Sequence, residues 1–131
     1  MDIRQFRVVL RARSFDDTCR FYGETLSLPR IRTWEGEDLR GAVFQAGSGL
    51  VEVLGRPEGA APGIRDEIFD YHGPQHKLSL TLVVASAQKA FEELHFREQN
   101  IPGGLRQDSG GGQVFETHDP DGVKILFVEA V

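Results

Sequence analysis

From Phe6 the chain alternates. Phe6, Val8, Leu10 and Ala12 are apolar, and Arg7, Val9 and Arg11 fall between them. A period of two with one apolar face predicts a strand. Ser14-Phe15-Asp16-Asp17 follows, a hydroxyl with a carboxylate three residues on. It predicts a capped helix start with acids at the positive end of the helix dipole. Phe15, Cys19, Tyr22 and Leu26 then recur at helical spacing, so the helix is expected to run to about Leu26, and Pro29 stops it. Three strands are expected next, at Arg30–Trp34, Arg40–Gln45 and Leu50–Leu54, parted by turns at Glu35-Gly36-Glu37-Asp38 and Gly47-Ser48-Gly49. The order is β-α-β-β-β.

A long connection rich in Pro and Gly runs from Arg56 to about His76. Loops of this length are usually functional or flexible, and Ile68-Phe69-Asp70-Tyr71 within it suits either covering a pocket or docking. The pattern then restarts. Leu78–Val84 alternates as a strand, and Ser86 caps a helix expected to reach about Gln99, with Ala87, Ala90, Phe91 and Leu94 at core spacing. Ile101-Pro102-Gly103-Gly104 breaks it, and strands are expected at Leu105–Gln107, Gln113–Thr117 and Val123–Glu129. Gly110-Gly111-Gly112 and Asp119-Pro120-Asp121-Gly122 supply the turns. Ser86 follows Ser14 by 72 residues, and the strands before the two serines keep the same offset. The repeat lies in element order and capping, not in residue identity. The expected organisation is one α+β domain over 1–131, with a βαβββ module at 1–56, a linker at 57–76 and a second module at 77–131.

Composition adds exclusions. A chain of 131 residues, 40% hydrophobic and 27% charged, can bury a core of its own. No apolar run approaches the ~20 residues of a membrane helix. Met1–Gln5 lacks the apolar centre of a signal peptide, so a cytoplasmic location is expected. The net charge of −5 argues against nucleic acid and suits a neutral or cationic small molecule. Cys19 is the one cysteine, which rules out an intramolecular disulfide and a multi-thiolate metal site and leaves it as buried filler. Gly110-Gly111-Gly112 has no helix after it and is a turn rather than a phosphate cradle.

Phe21-Tyr22-Gly23-Glu24-Thr25-Leu26-Ser27-Leu28-Pro29 resembles the end of the first helix in the vicinal oxygen chelate superfamily, which takes in glyoxalase I, bleomycin-resistance proteins and extradiol dioxygenases. His118-Asp119-Pro120-Asp121-Gly122 resembles the turn before the last strand of those proteins. With the two modules, the likeness spans nearly the whole chain. It implies that each module curls its four strands into a half-barrel, and that two modules, from one chain or swapped between two, close a concave groove. It further implies that the metalloenzymes of the family take four ligands there, one from the first and one from the fourth strand of each module, for Lewis-acid chemistry on vicinal oxygens.

Carried onto this chain, the four positions fall on Arg7, Glu52, Ser79 and Leu126. Arginine stays protonated and leucine has no donor atom. One carboxylate and one hydroxyl do not make a stable transition-metal site, so no metal and no cofactor are expected. A slip of three residues would offer His76 and Glu129, but an odd shift turns a strand residue to the other face. His72 lies in the loop, His95 late in the second helix and His118 at the turn.

Arg7 and Glu52 are expected to face each other as an ion pair, either satisfying two charges or also binding a polar ligand group. The expected ligand-binding set is Arg7, Trp34, Phe44, Glu52, Ser79, Thr81, Phe115 and Leu126, with Val9 and Arg11 also inward; the facing of the three aromatics stays open. The resemblance then implies a metal-independent binder that sequesters an aromatic or cationic small molecule, antibiotics included, as a homodimer without nucleic-acid or membrane partners. Two alternatives stand beside it. One is a lyase, isomerase or dioxygenase using Glu52, with His118, for acid–base work. The other is an interaction module with a filled groove.

Overall fold

A computed structural model describes residues 1–59 and 78–130. The chain divides into two compact units, Met1–His72 and Gly73–Val131, and the division falls inside the 57–76 connection. His72, His76 and the Ile68–Tyr71 segment lie outside the described residues.

The first unit holds β1 (Arg7–Arg11), α1 (Phe15–Arg20), β2 (Arg30–Glu35), β3 (Arg40–Ala46) and β4 (Gly49–Gly55). Its sheet has the order β1-β4-β3-β2, with β1 parallel to β4 and the other pairs antiparallel. The second unit repeats this with β5 (Ser79–Val84), α2 (Ala87–Phe96), β6 (Arg106–Gln107), β7 (Gln113–His118) and β8 (Lys124–Glu129), in the order β5-β8-β7-β6. Among the described residues, two four-stranded mixed sheets, each with a helix, make an α+β fold.

Both helices start on the expected serines. Ser14 Oγ accepts from the Asp17 N–H at 3.3 Å, and Ser86 Oγ accepts from the Lys89 N–H at 3.2 Å. Each hydroxyl satisfies an amide that has no partner inside the helix. In α2 a second acceptor arrives from the sheet, where Glu129 Oε1 takes the Ala87 N–H at 3.2 Å. Glu129 therefore faces its helix, which removes it as a groove ligand under any slipped register.

The first helix departs from the expectation in one respect. After Arg20 it widens, and the Leu26 N–H reaches five residues back to the Phe21 carbonyl at 2.9 Å. The wider turn buries Phe21 and Tyr22 together, their rings edge to face at 5.0 Å. The second helix ends at Phe96 rather than near Gln99, with Glu98 in the left-handed region at φ 60°.

Alternation assigns the sheet faces. In the first unit Val8, Leu10, Ala42, Phe44, Val51 and Val53 pack on the helix side, and Phe44 lies against Tyr22 with centroids 6.3 Å apart. Gly23 stands so close to that ring that a Cβ would come within 3.0 Å of Phe44 Cε1. In the second unit Phe115 stacks on Phe127 at 4.5 Å and meets Phe91 edge-on at 5.7 Å.

Cys19 is buried on α1. Burial pushes its thiol up to about 11, against a partial downward pull from Arg30. A thiolate reagent at pH 8 should therefore label the folded protein on the order of 100-fold more slowly than the urea-unfolded chain. Because the folded thiol holds its proton to higher pH than the unfolded one, this group's contribution to stability declines between pH 9 and about 11. The decline should vanish in Cys19→Ala; identical pH slopes for the two proteins would contradict the burial account.

Candidate functional site

The face of the first sheet away from α1, helix-free among the described residues, carries Arg7, Val9 and Arg11 from β1, Leu50, Glu52 and Leu54 from β4, Gly41 and Val43 from β3, and Arg32 and Trp34 from β2. Glu52 is its centre. Its Oε1 accepts from Arg7 Nη1 at 3.3 Å, and its Oε2 accepts from Trp34 Nε1 at 3.1 Å. Arg7 Nη2 donates in turn to Gln5 Oε1. The Glu52 side chain is 12% exposed and that of Arg7 29%, so the pair is screened on one side only. Arg7 lies opposite Leu50, and Val9 opposite Glu52, so the ion pair runs diagonally rather than straight across.

Trp34 reaches Glu52 across an intervening strand, and two local features allow it. A bulge in β2 sets Arg30 opposite Phe44 and Arg32 opposite Val43, which turns Arg30 to the helix side and Arg32 and Trp34 to the helix-free side. Arg30 accordingly sits over the Phe44 ring at 5.2 Å. The second feature is Gly41, directly opposite Trp34, where a Cβ would lie 2.4 Å from indole Cε2. Gly41 is a site residue that the sequence reading missed, and no turn signal marks it.

Gly41→Ala should therefore displace the indole and break its bond to Glu52. We expect a shifted emission spectrum from this single tryptophan and a stability loss of about 1–3 kcal/mol. An unchanged spectrum with unchanged stability would show that the indole tolerates the methyl group where it stands.

In the second unit Ser79 and Thr81 are exposed on β5, with Leu126 beside Thr81 on β8. The structure adds Glu116, the Cα partner of Leu126, which lies 3.6 Å from Arg106 Nη2 and 3.5 Å from Lys124 Nζ. Glu116 corresponds by register to Val43 of the first sheet, so the carboxylate stands one strand over from the Glu52 position. Its signal was parity: once Phe115 is core, Glu116 must face the other way.

Phe44 and Phe115 require a correction. Both are 0% exposed on the helix side of their sheets, so neither lines the helix-free face. Each shares its face with the strand residues under the helix, and a ring of that size goes where it removes most apolar surface from water. His118 ends β7, exposed and opposite Lys124, and His95 stacks on Phe91 at 5.8 Å.

The sequence matches the model of the Glyoxalase/Bleomycin resistance protein/Dioxygenase superfamily over residues 4–127. The chain belongs to that superfamily. The fold is similar to the crystal structure of SMU.1112c, at 19% identity and a TM-score of 0.78 over 98% of this chain and 100% of that one. It is similar to the trypanothione-dependent glyoxalase I of Leishmania major, at 16% identity and a TM-score of 0.73 over 98% and 87%. It is also similar to a lactoylglutathione lyase from Agrobacterium tumefaciens, at 14% identity and a TM-score of 0.69 over 98% and 95%. No curated protein matches the sequence.

The residues at the family's ligand positions do not fit a transition metal. Glu52 has one hydrogen bond to each oxygen, from Arg7 and Trp34, and the Arg7 guanidinium stands where a second donor would be needed. A divalent ion there would meet a fixed positive charge beside the only carboxylate among the four positions. Glu116 does not restore the set, since Arg106 and Lys124 already flank it.

Proposed function

We propose that the protein binds a small molecule without a metal, as the resemblance to the bleomycin-resistance branch of its superfamily implies, and holds an aromatic or cationic group on the face of its first sheet away from α1. The observation that carries this reading is the Arg7–Glu52–Trp34 cluster. A carboxylate accepts about four hydrogen bonds, and here two come from the protein, which leaves acceptor capacity for a cationic ligand group. The indole beside it offers a flat apolar surface to an aromatic one. Arg7 and Trp34 hold the carboxylate in place before a ligand arrives, which lowers the ordering cost of binding. The ligand is sequestered and released unchanged, by a cytoplasmic homodimer.

The test uses protein first assayed for bound metal, then titrated with aromatic cationic antibiotics, bleomycin included, while Trp34 emission is followed. Saturable quenching is expected, weakened about tenfold or more in Glu52→Ala. Stoichiometric metal in the purified protein would overturn the reading. It would favour the second one, a glyoxalase-type lyase or isomerase with Glu52 as its base, which the fold likeness to glyoxalase I keeps open to assay.

A further inference from the structure

A cleft lies on the helix side of the first unit, where the chain enters α1 and leaves β4. It has a volume of about 390 Å³, and its lining includes Arg13, Phe15, Asp16, Arg40, Arg56 and Glu58. The lining is cationic on balance, three arginines against two acids, in a chain whose net charge is −5.

Arg40 is the residue of interest. Its side chain is 17% exposed and is held in two ways. The guanidinium lies over the Phe15 ring at 4.4 Å, and Nε donates to the Arg56 carbonyl at 2.8 Å. Those contacts use its flat face and one N–H. Among the described residues the acid that faces the Nη groups is Asp16, its Oδ1 at 3.9 Å, beyond hydrogen-bond distance, on a side chain that is 74% exposed. An exposed acid at that separation compensates little charge. The structure thus presents a fixed, mostly buried guanidinium edge with unused donors at a cleft large enough for a small molecule. A planar fork of this kind matches the paired oxygens of a phosphate or carboxylate.

We propose that this cleft binds a small oxyanion-bearing metabolite, its phosphate or carboxylate group on the Nη edge of Arg40 and its remainder toward Phe15 and Pro57. The site is separate from the Glu52 cluster, since register places Arg40 opposite Gly55 on the helix side of the sheet.

The test is a titration of ¹⁵N-labelled protein with inorganic phosphate at constant ionic strength, followed by amide shifts, with succinate in a parallel arm and chloride as control. Saturable shifts are expected at the amides of Ser14–Asp16, Arg40 and Arg56–Glu58. The arm that binds more tightly distinguishes a phosphate from a carboxylate ligand. Arg40→Met keeps an unbranched stem against Phe15 and should raise the apparent Kd about tenfold or more, with Arg40→Lys about threefold. A dispersed spectrum for either variant establishes that it is folded. Lys89→Ala, on α2 of the second unit, should bind phosphate like the parent. Shifts equally produced by chloride, shifts that persist in both Arg40 variants, or none with either anion would overturn the proposal.

Discussion

Phe115→Ala and Phe44→Ala should each destabilise the protein by about 3–5 kcal/mol, with no direct effect on a ligand bound at Glu52. Both rings are fully buried, Phe115 between Phe127 and Phe91 and Phe44 beneath Tyr22 and Arg30. Deleting either ring leaves a cavity lined by groups that are themselves in sheet and helix and cannot collapse to fill it. Against a typical stability of about 5–15 kcal/mol, such a loss consumes about a fifth or more. Chemical denaturation should show a lower midpoint with little change in slope. A variant of normal stability that no longer quenched with ligand would return these rings to the binding surface, where sequence reading had put them.

The second large effect is expected at Asp119. This carboxylate is buried, and its Oδ1 accepts from the Asp121 and Val123 N–H groups, both at 2.9 Å. The backbone closes the same turn, Asp119 N–H to the Val123 carbonyl at 2.9 Å and Gly122 N–H to the Asp119 carbonyl at 3.0 Å, with Gly122 at φ 86°. A hydrogen bond to a charged acceptor contributes roughly 1.5–3 kcal/mol. Asp119→Ala removes two and strands a buried N–H of Val123, so a loss of about 3 kcal/mol is expected. Asp119→Asn keeps an oxygen in place and should lose only about 1 kcal/mol. The turn also sets the pairing of Glu116 with Leu126 and Thr117 with Ile125. A slip of one residue there would turn Ile125 and Phe127 out of the core. Small losses in both variants would mean that the carboxylate's bonds carry little of the turn's stability. Faster amide exchange at Val123 in Asp119→Ala would locate the damage at this turn.

Much of the fold was legible because period and capping are local properties. Ser14 and Ser86 announce their helices through a hydroxyl that the next turn's amides require, and the alternation around Val8 and Leu10 gives the buried face of β1. The ion pair of Arg7 with Glu52 was legible too, because in a βαβββ module the first and fourth strands are neighbours and both residues stand at the family's inward positions. Glu116 was missed because period two alone left the facing of Phe115 open, and with it the facing of its neighbour.

The amino-acid pattern alone determined the element order, the internal repeat, the helix starts, the tight turn at Asp119–Gly122 and the family likeness. Each depends on residues a few positions apart, where backbone geometry leaves few choices. Tertiary structure decided which face of each strand the helix covers, and so which aromatics are core and which can meet a ligand. Period two sorts residues into two sets without naming the buried one. It also decided the place of Trp34. One extra residue in β2 turns the indole to the helix-free face, and the missing side chain of Gly41 on the next strand lets it lie across to Glu52. That contact joins residues 18 apart through a bulge and a glycine on a third strand. No local rule relates them, because the distance between them is set by strand pairing.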